Sequence, residues 1–339
     1  MSNLPTITNI TFFSTQPYDK QFFIKCNEQF GYHLSFLETR LNTTTVSLVE
    51  EGAVVCAFVN DTIDAAVVQQ LAVKKVGIIA LRCAGFNNVD VEACKQYNIK
   101  VCRVPAYSPE AVAEHALAMI LTLNRKTHKA YNRVREQNFS LNGLLGFNLY
   151  GKTVGVIGTG NIGKAFCNIM LGLGCKVMAF DIIANKDLEA LGVTYHPLID
   201  IYKAADIISL HCPLNAQTRH LINADVLPFF KQGVMLINTS RGALINTSDV
   251  IGALKTGKIG YLGIDVYEQE EKLFFRDLSE QIIADDTIQR LMSFPNVLVT
   301  AHQAFFTHEA LTQIAEITLT NIFELNAKKI LTHKAAMLV

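Results

Sequence analysis

The sequence predicts an α/β fold with parallel sheets in two domains, and three observations carry that reading. Short β-rich runs alternate with helical stretches from end to end, the pattern of strands joined by crossover helices. The chain has 339 residues, more than one ordinary domain holds and enough for two. Its character also changes near Pro105, where a long apolar helix leads into a second, more regular alternation.

In the first third, Ile10–Ser14, Val54–Val59 and Gly77–Arg82 are the predicted strands, with Asn98–Val104 an additional candidate. Helical stretches such as Asp64–Leu71 lie between them. Ser108-Pro109-Glu110 then reads as a helix start, Ser as N-cap and Pro at the first helical position. The helix through Ala111–Asn124 has little polar interruption, so it is expected to be buried, as core or as a subunit interface. From Lys152 onward six strand-like runs follow: Thr153–Ile157, Lys176–Phe180, Ile207–Leu210, Val234–Ile237, Ile259–Ile264 and Val297–Thr300. Six strands in this style suggest a doubly wound, Rossmann-like domain, in which ligands sit beyond the carboxyl ends of the strands.

Composition narrows the function classes. Half the residues are hydrophobic and 18% are charged, enough for large cores. The 30 basic and 30 acidic side chains cancel, so no net charge steers the molecule to nucleic acid or an anionic membrane. Met1–Ile10 lacks the basic start and apolar core of a signal peptide, and runs such as Ala116–Leu121 are too short to span a bilayer. Cys26, Cys56, Cys83, Cys94, Cys102, Cys167, Cys175 and Cys212 are scattered, without CxxC or zinc-ligand spacing. Reduced, mostly buried thiols in a cytoplasmic protein, with no metal, are the expectation.

The strand ends hold the chemistry. After the first of the six comes Gly158-Thr159-Gly160-Asn161-Ile162-Gly163, a GxGxxG between strand and helix. Its first Gly permits a tight turn, the second lets backbone approach a pyrophosphate, and the third lets helix and sheet pack closely. Asp181 ends the second strand, eighteen residues beyond Gly163, where an acid accepts from ribose hydroxyls and repels a 2′-phosphate. NAD rather than NADP is therefore the expected cofactor. His211-Cys212-Pro213 follows the third strand, Asn238-Thr239-Ser240-Arg241-Gly242 the fourth, Asp265 with Glu268 and Glu270 the fifth, and His302 the sixth. Arg, Glu and His thus converge on one rim if the sheet is doubly wound.

Several segments carry a resemblance. They include Ala80–Asp90, Arg103–His115, Asn238–Leu244, Gly263–Glu268 and Ala301–Phe305. On these the sequence resembles the D-isomer-specific 2-hydroxy acid dehydrogenases over nearly its whole length, most closely the fermentative D-lactate branch. Glu271–Asp277 narrows the branch, since relatives acting on glycerate-type substrates have a shorter connection there. Relatives often carry Gly or Pro where Ala301 stands, a change confined to the turn.

The resemblance implies a discontinuous substrate domain of residues 1–106 and 306–339, a flavodoxin-like partner to an NAD-binding Rossmann domain of residues 107–305, with a cleft between them. It implies reversible reduction of a small 2-keto acid, pyruvate first, by NADH. Chemistry asks for a cation on the carboxylate, and Arg241 can bind it bidentately. An acid must protonate the developing alkoxide, and imidazole, with a free pKa of about 6.5, suits that task. Of nine histidines, His302 ends a strand and matches the family's acid/base. A carboxylate beside imidazole favours its charged form; Glu268 and Glu270 both lie near, and the resemblance selects Glu270. It also implies cofactor contacts from Asn161, Ile162, Cys212, Pro213, Thr218, Thr239, Ser240 and Asp265. Ala84 and Gly85 would hold the substrate carboxylate through backbone N–H, while Tyr107 and Phe305 would close the pocket. A homodimer or homotetramer is expected. Two alternatives stand beside this reading: a larger 2-keto acid on the same trio, and a non-catalytic NAD-sensing binding protein.

Overall fold

A computed structural model describes residues 8–339, the Lys272 side chain apart. The expectation about a leader peptide rests largely on residues 1–7, outside the described residues. The chain forms two compact units, one holding the residues up to Ser108 together with Phe306–Val339, the other Pro109–Phe305.

The first unit runs β1 (Asn9–Phe12), α1 (Pro17–Asn27), β2 (His33–Phe36), β3 (Val54–Ala57), α2 (Ala65–Val73), β4 (Ile78–Leu81), α3 (Val91–Gln96) and β5 (Lys100–Arg103). The five strands pair in parallel in the order β2-β1-β3-β4-β5. Central β3 and β4 are buried at every residue, as parallel strands covered on both faces must be. The helices start where side chains satisfy their free N–H groups: Asp64 accepts from Val67 N and Asp90 from Ala93 N, both at 2.9 Å. Such a cap contributes about 1 kcal/mol. The C-terminal helix His308–Asn326, capped by Thr307, returns to pack on α1 and β4.

The second unit begins with α4 (Pro109–Arg125) and α5 (Thr127–Arg135). It continues β6 (Thr153–Ile157), α6 (Asn161–Gly172), β7 (Lys176–Phe180), α7 (Lys186–Ala190), β8 (Thr194–Tyr195), α8 (Leu198–Ala204), β9 (Ile207–Leu210) and β10 (Val234–Asn238). Then come α9 (Thr247–Lys255), β11 (Ile259–Ile264), α10 (Asp286–Ser293) and β12 (Val297–Val299). Seven strands pair in parallel in the order β12-β11-β10-β9-β6-β7-β8, so the strand order reverses between β6 and β9. Register is aligned along the rim: Ile157 pairs with Leu210, Leu210 with Asn238, Asn238 with Ile264, and Ile264 with Val299. The segments following these strands therefore leave the sheet at one level.

Three expectations need correction. Each sheet has one more strand than the sequence suggests. β2 lies at a sheet edge, half-exposed, and β8 is a two-residue edge strand. Helix α4 buries one face, with Ala113, Ala116 and Ile120 fully covered, while Glu114, Ala118 and Leu121 are exposed. Its apolar run is thus an amphipathic core helix against α6, β10 and β11. Large apolar side chains instead lie exposed in the following segment: Tyr131, Val134, Phe139, Leu141, Leu145 and Tyr150. All eight cysteines are free and buried. No helix of the described residues is long and apolar enough to cross a membrane.

Candidate active site

The dinucleotide turn sits at the reversal of strand order. Gly158 has φ +94°, and a Cβ there would lie 2.6 Å from Cys212 N, so only glycine allows the β6 and β9 ends to meet. A Cβ on Gly163 would overlap the Gly158 carbonyl, which ties the first turn of α6 to the strand. Gly160, the N-cap of α6, faces open space instead, with Asn161 and Ile162 following it. Backbone N–H groups at the start of α6 are thus presented where an anion can approach. His211 lies beneath this turn against Phe166, its ring centroid 4.8 Å away. Burial pushes its pKa down to about 3, so the wall behind the turn is uncharged.

Asp181 fixes the neighbouring strand end. Its carboxylate accepts from Thr159 N at 2.6 Å, Thr159 Oγ1 at 3.1 Å and Ile182 N at 2.7 Å. Burial raises its pKa, but these bonds outweigh burial and hold it below the usual carboxylate range. Ser240 Oγ donates to Cys212 O at 2.8 Å and joins the segments after β9 and β10. Thr218 closes the loop after Pro213 by donating to its carbonyl at 2.6 Å. Thr239 Oγ1 is buried and lacks a hydrogen-bond partner. Open backbone at Gly160, an ionised Asp181 and, among the described residues, an unsatisfied Thr239 hydroxyl are a set that would hold a dinucleotide.

The segments after β10, β11 and β12 hold the three candidate reacting side chains. His302 Nδ1 lies 2.8 Å from Glu270 Oε1, both side chains about one-fifth exposed. Glu270 Oε2 in turn accepts from Tyr267 N at 2.8 Å. The pair leaves the other imidazole nitrogen, Nε2, for chemistry. Arg241 is half-buried, and its Nη1 donates to Ser240 O at 2.7 Å. Among the described residues it forms no ion pair, so none of them neutralises its charge. Asn238 holds this turn by donating to Arg241 O at 2.8 Å and accepting from Ser240 N at 3.0 Å.

Asp265, expected among the cofactor contacts, supports the turn that follows β12. It is fully buried, and its carboxylate accepts from Thr300 Oγ1 at 2.5 Å, Gln303 N at 2.9 Å and Ala304 N at 2.9 Å. His115 Nε2 lies 3.5 Å away and bonds Thr300 Oγ1 at 3.1 Å. Burial raises the Asp265 pKa, but these donors outweigh it and keep the group below its ordinary value. Its carbonyl accepts from His302 N at 2.7 Å, so Asp265 shapes the turn that carries His302, whose φ is +53°. His115 and Thr300 belong to this support and are not separable in sequence from other polar residues in their segments.

Glu268, the competitor for Glu270, faces elsewhere: it pairs with His220 at 2.7 Å and accepts from Thr247. Phe275 lies beside the imidazole, its ring centroid 5.9 Å from that of His302. Phe305 is only 7% exposed. In the first unit, the loop after β4 carries Ala84 and Gly85, both half-buried. Their carbonyls are held, Ala84 O by Arg103 Nη1 at 2.7 Å and Gly85 O by Cys83 Sγ at 3.3 Å. Tyr107 is half-buried near the end of the same unit.

Residues 117–304 match the family model of the D-isomer specific 2-hydroxyacid dehydrogenase NAD binding domain. The chain is 51% identical to a 2-hydroxyacid dehydrogenase homolog of Haemophilus influenzae, over 95% of this chain and 97% of that protein. It is 50% identical to the D-lactate dehydrogenase of Escherichia coli, over 92% and 95%. The apo structure of D-lactate dehydrogenase from Escherichia coli superposes with a TM-score of 0.90 at 46% identity, covering 98% of this chain and all of that one. Half of its residues shared with proteins it spans almost end to end, and a glycine turn with Asp181 at the strand reversal, leave one conclusion. The chain belongs to the D-isomer-specific 2-hydroxyacid dehydrogenases and is an NAD-dependent oxidoreductase of that family.

Proposed function

We propose that this enzyme interconverts pyruvate and D-lactate. The observation that carries the reading is the His302–Glu270 pair together with an Arg241 that has no ion-pair partner among the described residues, on adjacent ends of aligned strands. Bound NADH supplies the hydride. Arg241 binds the substrate carboxylate through its planar fork and polarises the adjacent carbonyl. Glu270 accepts from Nδ1–H, which fixes the ring and its tautomer. His302 then gives its Nε2 proton to the oxygen that becomes alkoxide, and takes one back in the reverse direction. In the first unit Ala84, Gly85 and Tyr107 are the proposed substrate contacts. The Phe275 ring beside His302 supports a small 2-keto acid over a branched one.

Purified protein mixed with NADH and pyruvate should oxidise NADH rapidly and yield D-lactate on chiral analysis. Turnover confined to bulkier 2-keto acids would keep the trio and overturn the small pocket. NADH binding without turnover of any 2-keto acid would favour the sensor reading. We further propose a cytoplasmic homo-oligomer in which the exposed apolar side chains of residues 131–150 meet a second copy. Sedimentation equilibrium should give a dimer or tetramer mass, and Leu145→Glu with Leu141→Glu should shift it toward monomer.

A further inference from the structure

The turn bearing Arg241 and the turn bearing Glu270 touch through backbone. A Cβ on Gly242 would overlap the Tyr267 carbonyl and the Glu268 nitrogen, so the peptide after Arg241 lies directly on the peptide between Tyr267 and Glu268. Glu268 and Glu270 leave that second turn in different directions. Glu270 goes to Tyr267 N and His302; Glu268 goes to His220 and to the first residue of α9, Thr247.

His220 closes the figure from the other side. Its peptide N–H donates to Ala243 O at 2.8 Å, two residues after Arg241, and Ile222 N donates to Leu244 O at 3.0 Å. Its imidazole Nε2 lies 2.7 Å from Glu268 Oε1. The other Glu268 oxygen accepts from Thr247 N at 3.0 Å and Thr247 Oγ1 at 2.6 Å. His220 makes both contacts from φ +51°, a left-handed conformation uncommon for a residue with a Cβ. One side chain pair therefore spans the Arg241 turn, the Glu270 turn and the start of α9.

We propose that His220 and Glu268 are positioning residues for the reaction, a clamp that sets Arg241 against the substrate carboxylate and Glu270 against His302. The inference rests on the roles given above to Arg241, Glu270 and His302. Burial raises the Glu268 pKa, but the Thr247 and His220 bonds outweigh it and keep the group below the usual carboxylate range, so the clamp is ionic on the Glu268 side. Neither residue is among the proposed substrate or cofactor contacts. Their loss is felt where geometry matters most, since small misplacements of oriented groups are costly in rate.

His220→Ala and Glu268→Ala should each raise KM for pyruvate about tenfold, with kcat falling less. The Kd for NADH should stay within about twofold, because neither side chain is among the proposed cofactor contacts. The double variant should be no worse than the weaker single, because the pair acts as one unit. Glu268→Gln keeps the size and one acceptor oxygen, so it should fold if the alanine variants do not, and should show a KM raised about threefold. Wild-type KM in these variants with only a lowered melting temperature would make the pair purely structural and overturn the proposal, as would additive losses in the double variant. Arg241→Ala, run in parallel, separates the two levels. If it retains full turnover, the reading of the site fails; if it is inactive while the clamp variants are normal, only the clamp fails.

Discussion

Arg82 and Arg241 occupy comparable places in the two units. Each follows an inner strand of a parallel sheet, β4 in the first and β10 in the second. Arg82 is 2% exposed, its Nε 3.3 Å from Asp19 Oδ1 and its Nη2 2.8 Å from Ser14 O, with the Phe58 ring 4.8 Å from the guanidinium carbon. A second buried acid, Asp61, stands nearby and ties Ser14, Leu41 and Phe58 together. Arg241 is half-buried and has no acid within ion-pair distance among the described residues. The lesson is that position after a strand does not separate a structural arginine from a binding one. The counter-ion does: charge already neutralised inside the chain organises loops, and charge left open is available to an anionic ligand.

Exchanging the damage between the two arginines tests that contrast most strongly. Arg241→Ala should lower kcat/KM for pyruvate by on the order of 10³-fold while leaving the unfolding midpoint in urea near wild type. Arg82→Met should do the opposite in kind. It strands buried Asp19 without its cation, a loss of about 3–5 kcal/mol, seen as an earlier unfolding transition by circular dichroism. Adding Asp19→Asn should restore part of that stability, since no uncompensated carboxylate is then buried at position 19. An Arg82→Met protein as stable as wild type, or an Arg241→Ala protein that keeps its rate, would erase the distinction between the two arginines.

The same contrast explains what the sequence reveals. Inner strands such as β4, β9 and β10 are legible because burial on both faces makes them continuous apolar runs. β2 and β8 are not, because an edge strand needs few apolar residues; His33–Phe36 looks like loop until its neighbour is known. Candidate residues after strand ends are readable because a parallel sheet delivers its carboxyl ends to one side. What those side chains face is not. Asp265 and Asp181 both end strands, yet one is fully buried in backbone donors and the other is half-exposed. The His220–Glu268 clamp spans 48 positions and depends on a left-handed residue that no local pattern announces.

Asp181 offers the gentler test, on cofactor choice. Its bonds from Thr159 and Ile182 hold the carboxylate ionised below the usual carboxylate range, so it keeps its charge throughout the neutral region and well into acid. A 2′-phosphate brought to the same strand end meets that charge at close range, a repulsion of about 1–4 kcal/mol between solvent-like and protein-surface screening. Asp181→Asn removes the charge and retains an acceptor for Thr159. It should raise the ratio of kcat/KM for NADPH over NADH roughly tenfold, and the gain should shrink at high ionic strength as the repulsion in the parent enzyme is screened. The linkage has a definite sign. Because folding lowers the Asp181 pKa, its contribution to stability is present above the unfolded carboxylate's pKa and is lost as pH falls through the folded value. Asp181→Asn should therefore flatten the acid side of the stability profile and leave the alkaline side unchanged. A variant that switches cofactor ratio without altering the acid limb would mean that the Thr159 bonds persist in the unfolded chain. A flattened limb with an unchanged ratio would mean that the ribose end of the cofactor lies away from Asp181.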